Sequence, residues 1–180
     1  MLEEINNYLE LSKYMDKNIE YGYMTKDGKV LKYDDPSFER DFFNQYVLSS
    51  YNDVLKNKLG NCFDQVEFER EWFTKHNYKV KTYFEYVNVP YDNDYETHTF
   101  LVFEDNNKWY YFENADFNNR GVHQYNSLEE LLKDTYNRYL INLEKYNLND
   151  KEISSIEVLE YSKPKENSSF EEFFKFVNGA

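Results

Sequence analysis

The order of apolar and polar residues divides the first half of the chain into short elements. Apolar positions three or four residues apart predict helices, and β-rich runs on both sides of a turn dipeptide predict a hairpin. The hairpin is "YGYMTKDGKVLKY", with Asp27-Gly28 as its turn. The predicted helices are 2–15, 38–48, 51–56 and a run from 62 to about 75, for which Asn61 is the N-cap.

Strand signals dominate the second half of the chain. Runs rich in Val, Tyr, Thr and Phe predict strands at 78–89, 98–104, 108–113 and 153–161. Ser127 and Ser169 each stand three residues before a glutamate, which is the spacing of a capping box. They predict a helix to about Asn142 and a last helix that ends at Gly179. This order of helices and antiparallel strands predicts an α+β fold.

Composition favours one folded domain. The chain has 180 residues, of which 41% are hydrophobic, and it contains 19 tyrosines and 15 phenylalanines. This is enough apolar side chain for a packed interior, and 5 glycines and 3 prolines leave no low-complexity linker. We expect a single domain over 1–180, with an N-terminal helix and hairpin extension (1–57), a core (58–125) and a C-terminal helix-strand-helix segment (126–180).

Acidic residues outnumber basic ones, and the formal net charge is −13. This charge predicts a solvated, self-repelling surface, and it disfavours nucleic acid as a partner because no basic stripe offsets the repulsion from phosphates. The alternative is a surface for a cationic partner or a mimic of nucleic acid. Asn, Lys, Tyr, Phe and Ile, which have AT-rich codons, are used heavily, and this suggests a bacterial or phage genome.

The sequence shows no sign of membrane attachment or secretion. No apolar run has the length of a membrane span, and Met1 is followed by Leu-Glu-Glu rather than by a basic and then an apolar region. One cysteine cannot form an internal disulfide, so we expect a cytoplasmic protein. The cysteine and three scattered histidines lack metal-ligand spacing, and no glycine-rich phosphate loop is present, so we expect neither a metal nor another cofactor.

The single cysteine, Cys62, follows Gly60 and Asn61 at the start of a predicted helix. A thiol becomes a good nucleophile when it loses its proton, and a helix N-terminus favours the thiolate through its free N–H groups and its dipole. The same N–H groups can hold an oxyanion. The alternative is a small buried core residue. A catalytic role therefore needs a base and a group that orients the base.

Three histidines are candidates for this base. His76 ends the Cys62 helix, about 20 Å away along the axis, and we expect it to be a cation at the helix C-terminus. His123, in "RGVHQY", falls in a predicted loop. His98 opens "HTFLVFE", which is apolar on both faces and is therefore typical of a central strand. His98 is the candidate base.

The hairpin after His98 indicates which residue orients it. If the two asparagines of "DNNK" form a two-residue turn, Glu113 pairs with Phe100 and leaves the same face of the sheet as His98. Such diagonal neighbours have backbones about 7–8 Å apart, within reach of a long side chain. Another loop register would instead place Asn114 or Asp116 opposite His98. We therefore expect Glu113 to contact His98, with the other two as alternates.

A cysteine at a helix start, a histidine that opens a strand and an acid at the end of the next strand resemble the transglutaminase-like branch of the papain-like superfamily. The resemblance covers residues 59–115 and rests on "GNC", "HTFLVFEDNNKW" and the acid four residues after Trp109. The family usually has aspartate where this chain has Glu113. The motif "CFDQVE" with "HTFLVFE" also resembles a looser group of bacterial and phage proteins. The resemblance implies a papain-like core and a triad of Cys62, His98 and Glu113.

The function implied is that of a thiol-dependent acyl-group enzyme. Such an enzyme would be a cysteine peptidase, a deamidase or a transglutaminase, acting on a peptide, a protein side-chain amide or a small acyl substrate. "CFDQ" also resembles the cysteine motif of arylamine N-acetyltransferases, which gives an acyltransferase as an alternative. A non-catalytic acidic interaction or inhibitor protein on the same scaffold is another.

Six polar residues near the motifs are candidates for support or for the cleft. Each has an alternative as an ordinary surface or capping residue, and Arg120 would meet an anionic end of the substrate. They are Asn61, Asp64, Gln65, Asn114, Asp116 and Arg120.

Overall fold

A computed structural model describes residues 4–89 and 95–179 of the chain. The described strands are β1 Gly22–Thr25, β2 Val30–Lys32, β3 Tyr46–Val47, β4 Lys79–Val87, β5 His98–Asp105, β6 Lys108–Glu113, β7 Gly121–Tyr125 and β8 Ile156–Tyr161. The helices are α1 Tyr8–Asn18, α2 Phe38–Gln45, α3 Tyr51–Asn57, α4 Cys62–Lys75, α5 Leu128–Leu143, α6 Asp150–Ser154 and α7 Phe170–Val177. The predicted α+β class is confirmed.

The larger sheet is antiparallel and has the strand order β7-β6-β5-β4-β8. β5 lies at its centre, as the two-sided apolar pattern of "HTFLVFE" predicts, because both faces of this strand are covered. A second sheet of three strands, in the order β2-β1-β3, comes from the N-terminal part of the chain. Its hairpin has Gly28 at φ +81, a conformation that glycine adopts without strain.

The turn between β5 and β6 is the predicted two-residue turn. Asn106 and Asn107 have φ values of 50° and 58°, and a type I′ turn requires a positive φ at both positions. Asp105 pairs with Lys108, and the register continues to Leu101 opposite Phe112. The register inferred from the sequence is therefore confirmed.

Helix α4 is buried on nearly every side, whereas the sequence predicts an amphipathic helix with one inner face. Ten of its fourteen residues are buried, among them Asp64, Gln65, Glu67 and Glu69. The sheet covers one side of the helix, where Phe73 packs on the Phe103 ring at 4.6 Å. Residues of α3 and α7 cover other sides. The spacing of apolar residues does not predict this burial, because Asp64, Gln65 and Glu67 make hydrogen bonds inside the fold.

Helix α5 covers the opposite face of the sheet. Leu131 of α5 forms a buried cluster with Phe100, Val102 and Tyr111 from β5 and β6. Along β5 the residues alternate between the faces, so Phe100 lies on the α5 side whereas Leu101 and Phe103 belong to the cluster around α4. The sheet therefore forms the middle layer between two helical layers.

Some predicted elements differ from the observed ones. Helix α1 begins at Tyr8 because Asn7 caps it, and residues 2–3 of the predicted helix lie outside the described part. Residues 46–47 pair with β1 as a short strand instead of extending α2. His123 lies in strand β7 rather than in a loop. The predicted strand at 153–161 divides into the end of α6 and strand β8.

We predict that Phe73→Ala lowers the free energy of unfolding by about 3–5 kcal/mol. Phe73 is completely buried between α4 and the sheet, so its removal leaves a cavity. Phe176→Ala is the matched control, because its ring is 41% exposed, and we expect a loss below about 1 kcal/mol. Urea unfolding followed by circular dichroism measures both. Equal losses would contradict the packing described for α4.

Candidate active site

Cys62 is the first residue of α4, and the chain before it fixes the helix start. The Asn61 side chain accepts a hydrogen bond from the Asp64 N–H at 3.1 Å, and the Asp64 carboxylate accepts one from the Asn61 N–H at 3.2 Å. This capping box confirms the predicted N-cap. A Cβ added at Gly60 would lie 2.9 Å from the Asp64 Cβ, so this close turn favours glycine. The unpaired N–H groups of the first helical turn consequently surround the cysteine.

Asp64 ties the start of α4 to the N-terminal sheet. One carboxylate oxygen accepts hydrogen bonds from the Ser49 N–H at 2.8 Å and from the Tyr46 hydroxyl at 3.1 Å. Complete burial raises the pKa of Asp64 to about 7, although these hydrogen bonds favour its charged form. Asp64 is therefore a buried structural group, not a polar residue on the helix surface.

His98 and Glu113 are in direct contact. The Nε2 atom of His98 lies 2.8 Å from Oε2 of Glu113. The same Oε2 accepts a hydrogen bond from the Tyr111 hydroxyl at 2.6 Å, whereas Oε1 accepts from the N–H groups of Ala115 at 2.6 Å and Asp116 at 2.8 Å. The predicted contact of Glu113 with His98 is confirmed, and the alternates Asn114 and Asp116 do not take this place. Four donors thus hold the carboxylate next to the imidazole.

The surroundings of His98 favour the imidazolium ion. Burial opposes the charge, but the charge of Glu113 and hydrogen bonds with Cys62 and Glu113 outweigh it and raise the pKa of His98 well above its ordinary value. Nε2 is the ring nitrogen that faces Glu113. Glu113 therefore contacts His98 directly, and Cys62 is among the groups that raise the pKa of the imidazole.

Tyr21 is a neighbour of the thiol that the sequence analysis missed. Burial, followed by the charge of Cys62 and a hydrogen bond with its thiol, raises the pKa of Tyr21 well above its ordinary value. The Tyr21 ring packs against Phe38 and Phe117 with centroids 6.1 Å and 6.0 Å away. No local motif points to Tyr21, because it lies about forty residues before Cys62 in the chain. The bridge between Glu20 and Leu59 brings the two segments together.

The other candidates connect loops around the site. Gln65 donates from Nε2 to the Gly60 carbonyl at 2.7 Å and accepts from the Asn114 side chain at 2.6 Å, so it links the turns that carry Cys62 and Glu113. Asp116 accepts from Asn119 and Asn142 at 2.7 Å and 2.8 Å.

Arg120 and the two other histidines have structural contacts away from Cys62. Arg120 donates to the Asn114 carbonyl at 2.6 Å and to Asp16 at 2.9 Å, so both ends of its guanidinium are engaged within the fold. His76 stacks on the Trp72 ring at 3.8 Å at the far end of α4, as its position in the sequence predicts. His123 has its Nε2 atom 2.8 Å from the Asn119 carbonyl oxygen.

A cleft of about 860 Å³ has Asn61 and Cys62 among its lining residues, and Cys62 is only 4% exposed. The Asn61 Nδ2 atom is buried and makes no hydrogen bond within residues 4–89 and 95–179. The lining of the cleft therefore includes the Cys62 thiol and the neighbouring Asn61 side chain.

The chain was compared with protein families and with curated proteins. No family model matches it, and no curated protein matches it either. In the described part of the chain, no helix combines the length and hydrophobicity required to cross a bilayer. The same part contains no cluster of three or more His, Cys, Asp or Glu side chains suited to a metal ion.

We predict that Glu113→Gln lowers the pKa of His98, because it removes the charge that most favours the imidazolium. An NMR titration of ¹⁵N-labelled histidine, with His98 assigned from the missing signal of His98→Ala, measures this shift. Glu104→Gln is the matched control, since Glu104 is exposed at the far end of β5. An unchanged titration of His98 in Glu113→Gln would contradict the electrostatic account of the pair.

Proposed function

We propose that the protein is a thiol-dependent acyl-group enzyme with Cys62 as nucleophile, His98 as acid and base, and Glu113 as the residue that orients the imidazole. The observation that carries the proposal is the 2.8 Å contact between His98 and Glu113 beside a cysteine at a helix N-terminus. A core of this kind, with the cysteine helix packed on an antiparallel sheet, supports the resemblance to the papain-like superfamily and its transglutaminase-like branch.

The reaction would proceed through an acyl-enzyme. The Cys62 thiolate attacks the carbonyl carbon of an amide, ester or thioester, and a C–S bond forms. The oxyanion has two kinds of donor nearby: the N–H groups at the start of α4 and the unpaired Nδ2 of Asn61. His98 then gives its proton to the leaving amine, alcohol or thiol as its bond to the carbonyl carbon breaks.

The second half of the reaction releases the acyl group. Water or an amine attacks the thioester, His98 accepts its proton, and the C–S bond breaks to restore the thiolate. Water gives a peptidase or a deamidase, whereas an amine gives a transglutaminase or another acyltransferase. The substrate class proposed is an amide of a peptide or protein side chain, or a small acyl compound. We propose a cytoplasmic location, because the one cysteine of the chain has no partner for an internal disulfide.

In this proposal Glu113 orients the imidazole. Its carboxylate is fixed by Tyr111 and two backbone N–H groups, so the imidazole that it binds has one preferred orientation. This arrangement favours an imidazolium next to the thiol, and such a cation stabilises a thiolate. Glutamate instead of the aspartate typical of the family is accommodated because the residue lies at the end of β6, diagonal to His98.

We predict that iodoacetamide alkylates Cys62 readily at pH 6, where an ordinary thiol with a pKa of about 8.5 is only about 0.3% ionised. His98→Ala should slow alkylation about tenfold or more at pH 6 and much less at pH 9, where an unaided thiol is largely ionised. Mass spectrometry of the alkylated protein measures the rates.

His76→Ala is the matched control for this experiment, because His76 lies at the other end of α4 and should leave the rates unchanged. Cys62→Ala should remove all labelling, since the chain contains no second cysteine. Equal rates for wild type and His98→Ala at both pH values would refute the proposed function. The scaffold would then favour the non-catalytic interaction protein.

A further inference from the structure

The cleft that Cys62 helps to line is rich in aromatic side chains. Eleven of its twenty lining residues are Phe or Tyr, whereas aromatic residues form 20% of the whole chain. Two of them, Tyr33 and Phe43, are 62% and 52% exposed, and exposed rings that line a concave site are typical of a binding surface. Phe43 packs against Phe170 and Phe42 with centroids 5.3 Å and 5.5 Å away. These rings form one wall of the cleft.

The charged residues of the cleft are mostly neutralised within the fold. Four of the five charged lining residues are in ion pairs. Because their charges are already balanced, they do not require a ligand of opposite charge. The pairs are Arg40 with Asp41 at 2.8 Å, Lys145 with Glu96 at 2.6 Å and Glu171 with Lys175 at 2.6 Å. A volume of about 860 Å³ suits a small molecule.

We propose that the cleft binds the uncharged aromatic group of a small amide or ester whose carbonyl carbon lies at Cys62. This inference rests on the proposed function and names its substrate class. The aromatic wall supplies apolar contact for a flat ring, and burial of a phenyl-sized group contributes enough free energy to change a rate constant by about tenfold or more. Asn61 and the start of α4 would then face the carbonyl oxygen.

A pair of alkylating reagents tests this proposal. N-phenethyl chloroacetamide and N-methyl chloroacetamide have the same reactive carbon but differ in the ring, and their rates with N-acetylcysteine correct for intrinsic reactivity. We expect the corrected rate at Cys62 to be about tenfold or more higher for the phenethyl reagent. Phe43→Ala should reduce this ratio several-fold, whereas Phe176→Ala, outside the cleft lining, should leave it unchanged.

The outcomes separate this proposal from the function. A corrected ratio near one, with Cys62 still reactive at pH 6, would overturn the aromatic preference and leave the thiol enzyme standing. A ratio that survives Phe43→Ala unchanged would move the binding of the ring away from this wall and overturn the proposal as stated. If neither reagent reacts faster with Cys62 than with N-acetylcysteine at pH 6, the proposed function itself is overturned.

An independent observation concerns Glu85 of β4. Glu85 is the direct partner of His98 in the β4–β5 register, so the two side chains leave the same face of the sheet with Cβ atoms about 4.5–5.5 Å apart. Glu113 approaches the same imidazole from β6 on the other side. His98 therefore lies between carboxyl groups from both neighbouring strands.

Glu85 has few other partners. It is 1% exposed, and its Oε1 atom is buried without a hydrogen bond in the described part of the chain. A carboxylate in such a place is costly unless a cation balances it. Burial raises the pKa of Glu85 to about 7, and among the groups that act on it His98 favours the charged form while Glu113 and Asp116 oppose it. From β6 and α5, the phenols of Tyr111 and Tyr139 also face it.

We infer that Glu85 is a positioning residue that stabilises the protonated imidazole of His98 from the β4 side. Glu85 is neutral at low pH and becomes charged as the pH rises through about 7. Its support for the imidazolium is consequently greatest above pH 7, where an acyl-group enzyme still needs His98 to protonate a leaving group. If the proposed function holds, Glu85 extends the working range of the site toward alkaline pH.

The test is the titration of His98 in Glu85→Gln, which keeps the shape of the side chain and removes its charge. We expect the pKa of His98 to fall by about 1 pH unit, and Glu85→Asp to restore part of the difference. Glu104→Gln is again the control. A titration of His98 identical to wild type in Glu85→Gln would overturn this role. The NMR measurement does not depend on activity, so it remains decisive even if Cys62 is inert.

Discussion

A helix that is buried on nearly all sides must find a partner within the protein for each polar group that it carries. Helix α4 meets this constraint only in part: Asp64 bonds Tyr46 of the N-terminal sheet and Gln65 bonds Asn114 in the loop after β6, whereas Glu69 Oε2 and Trp72 Nε1 are buried without a hydrogen bond in the described part of the chain. Because these bonds have defined directions, they fix the rotation of α4 about its axis. The position of Cys62 relative to the sheet follows from that rotation.

The same constraint explains why the site is crowded with carboxyl groups. Glu69 of α4, Glu85 of β4 and Glu113 of β6 are all buried, in a chain with a net charge of −13. Burial raises the pKa of Glu69 and Glu85, whereas Glu113 is surrounded by donors that suit a carboxylate. Glu113 thus differs from its neighbours in the hydrogen bonds that it accepts from the two backbone N–H groups that follow it.

Local signals made part of this arrangement predictable. The two asparagines of "DNNK" determine a two-residue turn, and the turn determines that Glu113 reaches His98. Asn61 and Asp64 have the spacing of a cap, and they define the first residue of α4. Tyr21 and Glu85 could not be identified in this way, because their places depend on how distant elements dock. The burial of α4 could not be predicted either, because its polar residues are typical of a solvent-exposed helix face and their hydrogen-bond partners lie far away in the chain. His123 was assigned to a loop because β7 is an edge strand with little apolar pattern.

The length of the β5–β6 turn limits how such a site can change during evolution. It lies at the opposite end of the sheet from His98, and a pleated strand transmits a change of register along its whole length without attenuation. One inserted or deleted residue at Asn106 would reverse the facing of every β6 side chain, exchanging Glu113 for a neighbour of opposite orientation. Loops usually tolerate changes of length, but the length of this turn determines which β6 side chain faces His98. Substitutions at this turn are therefore compatible with the site as long as the number of residues in the turn stays constant.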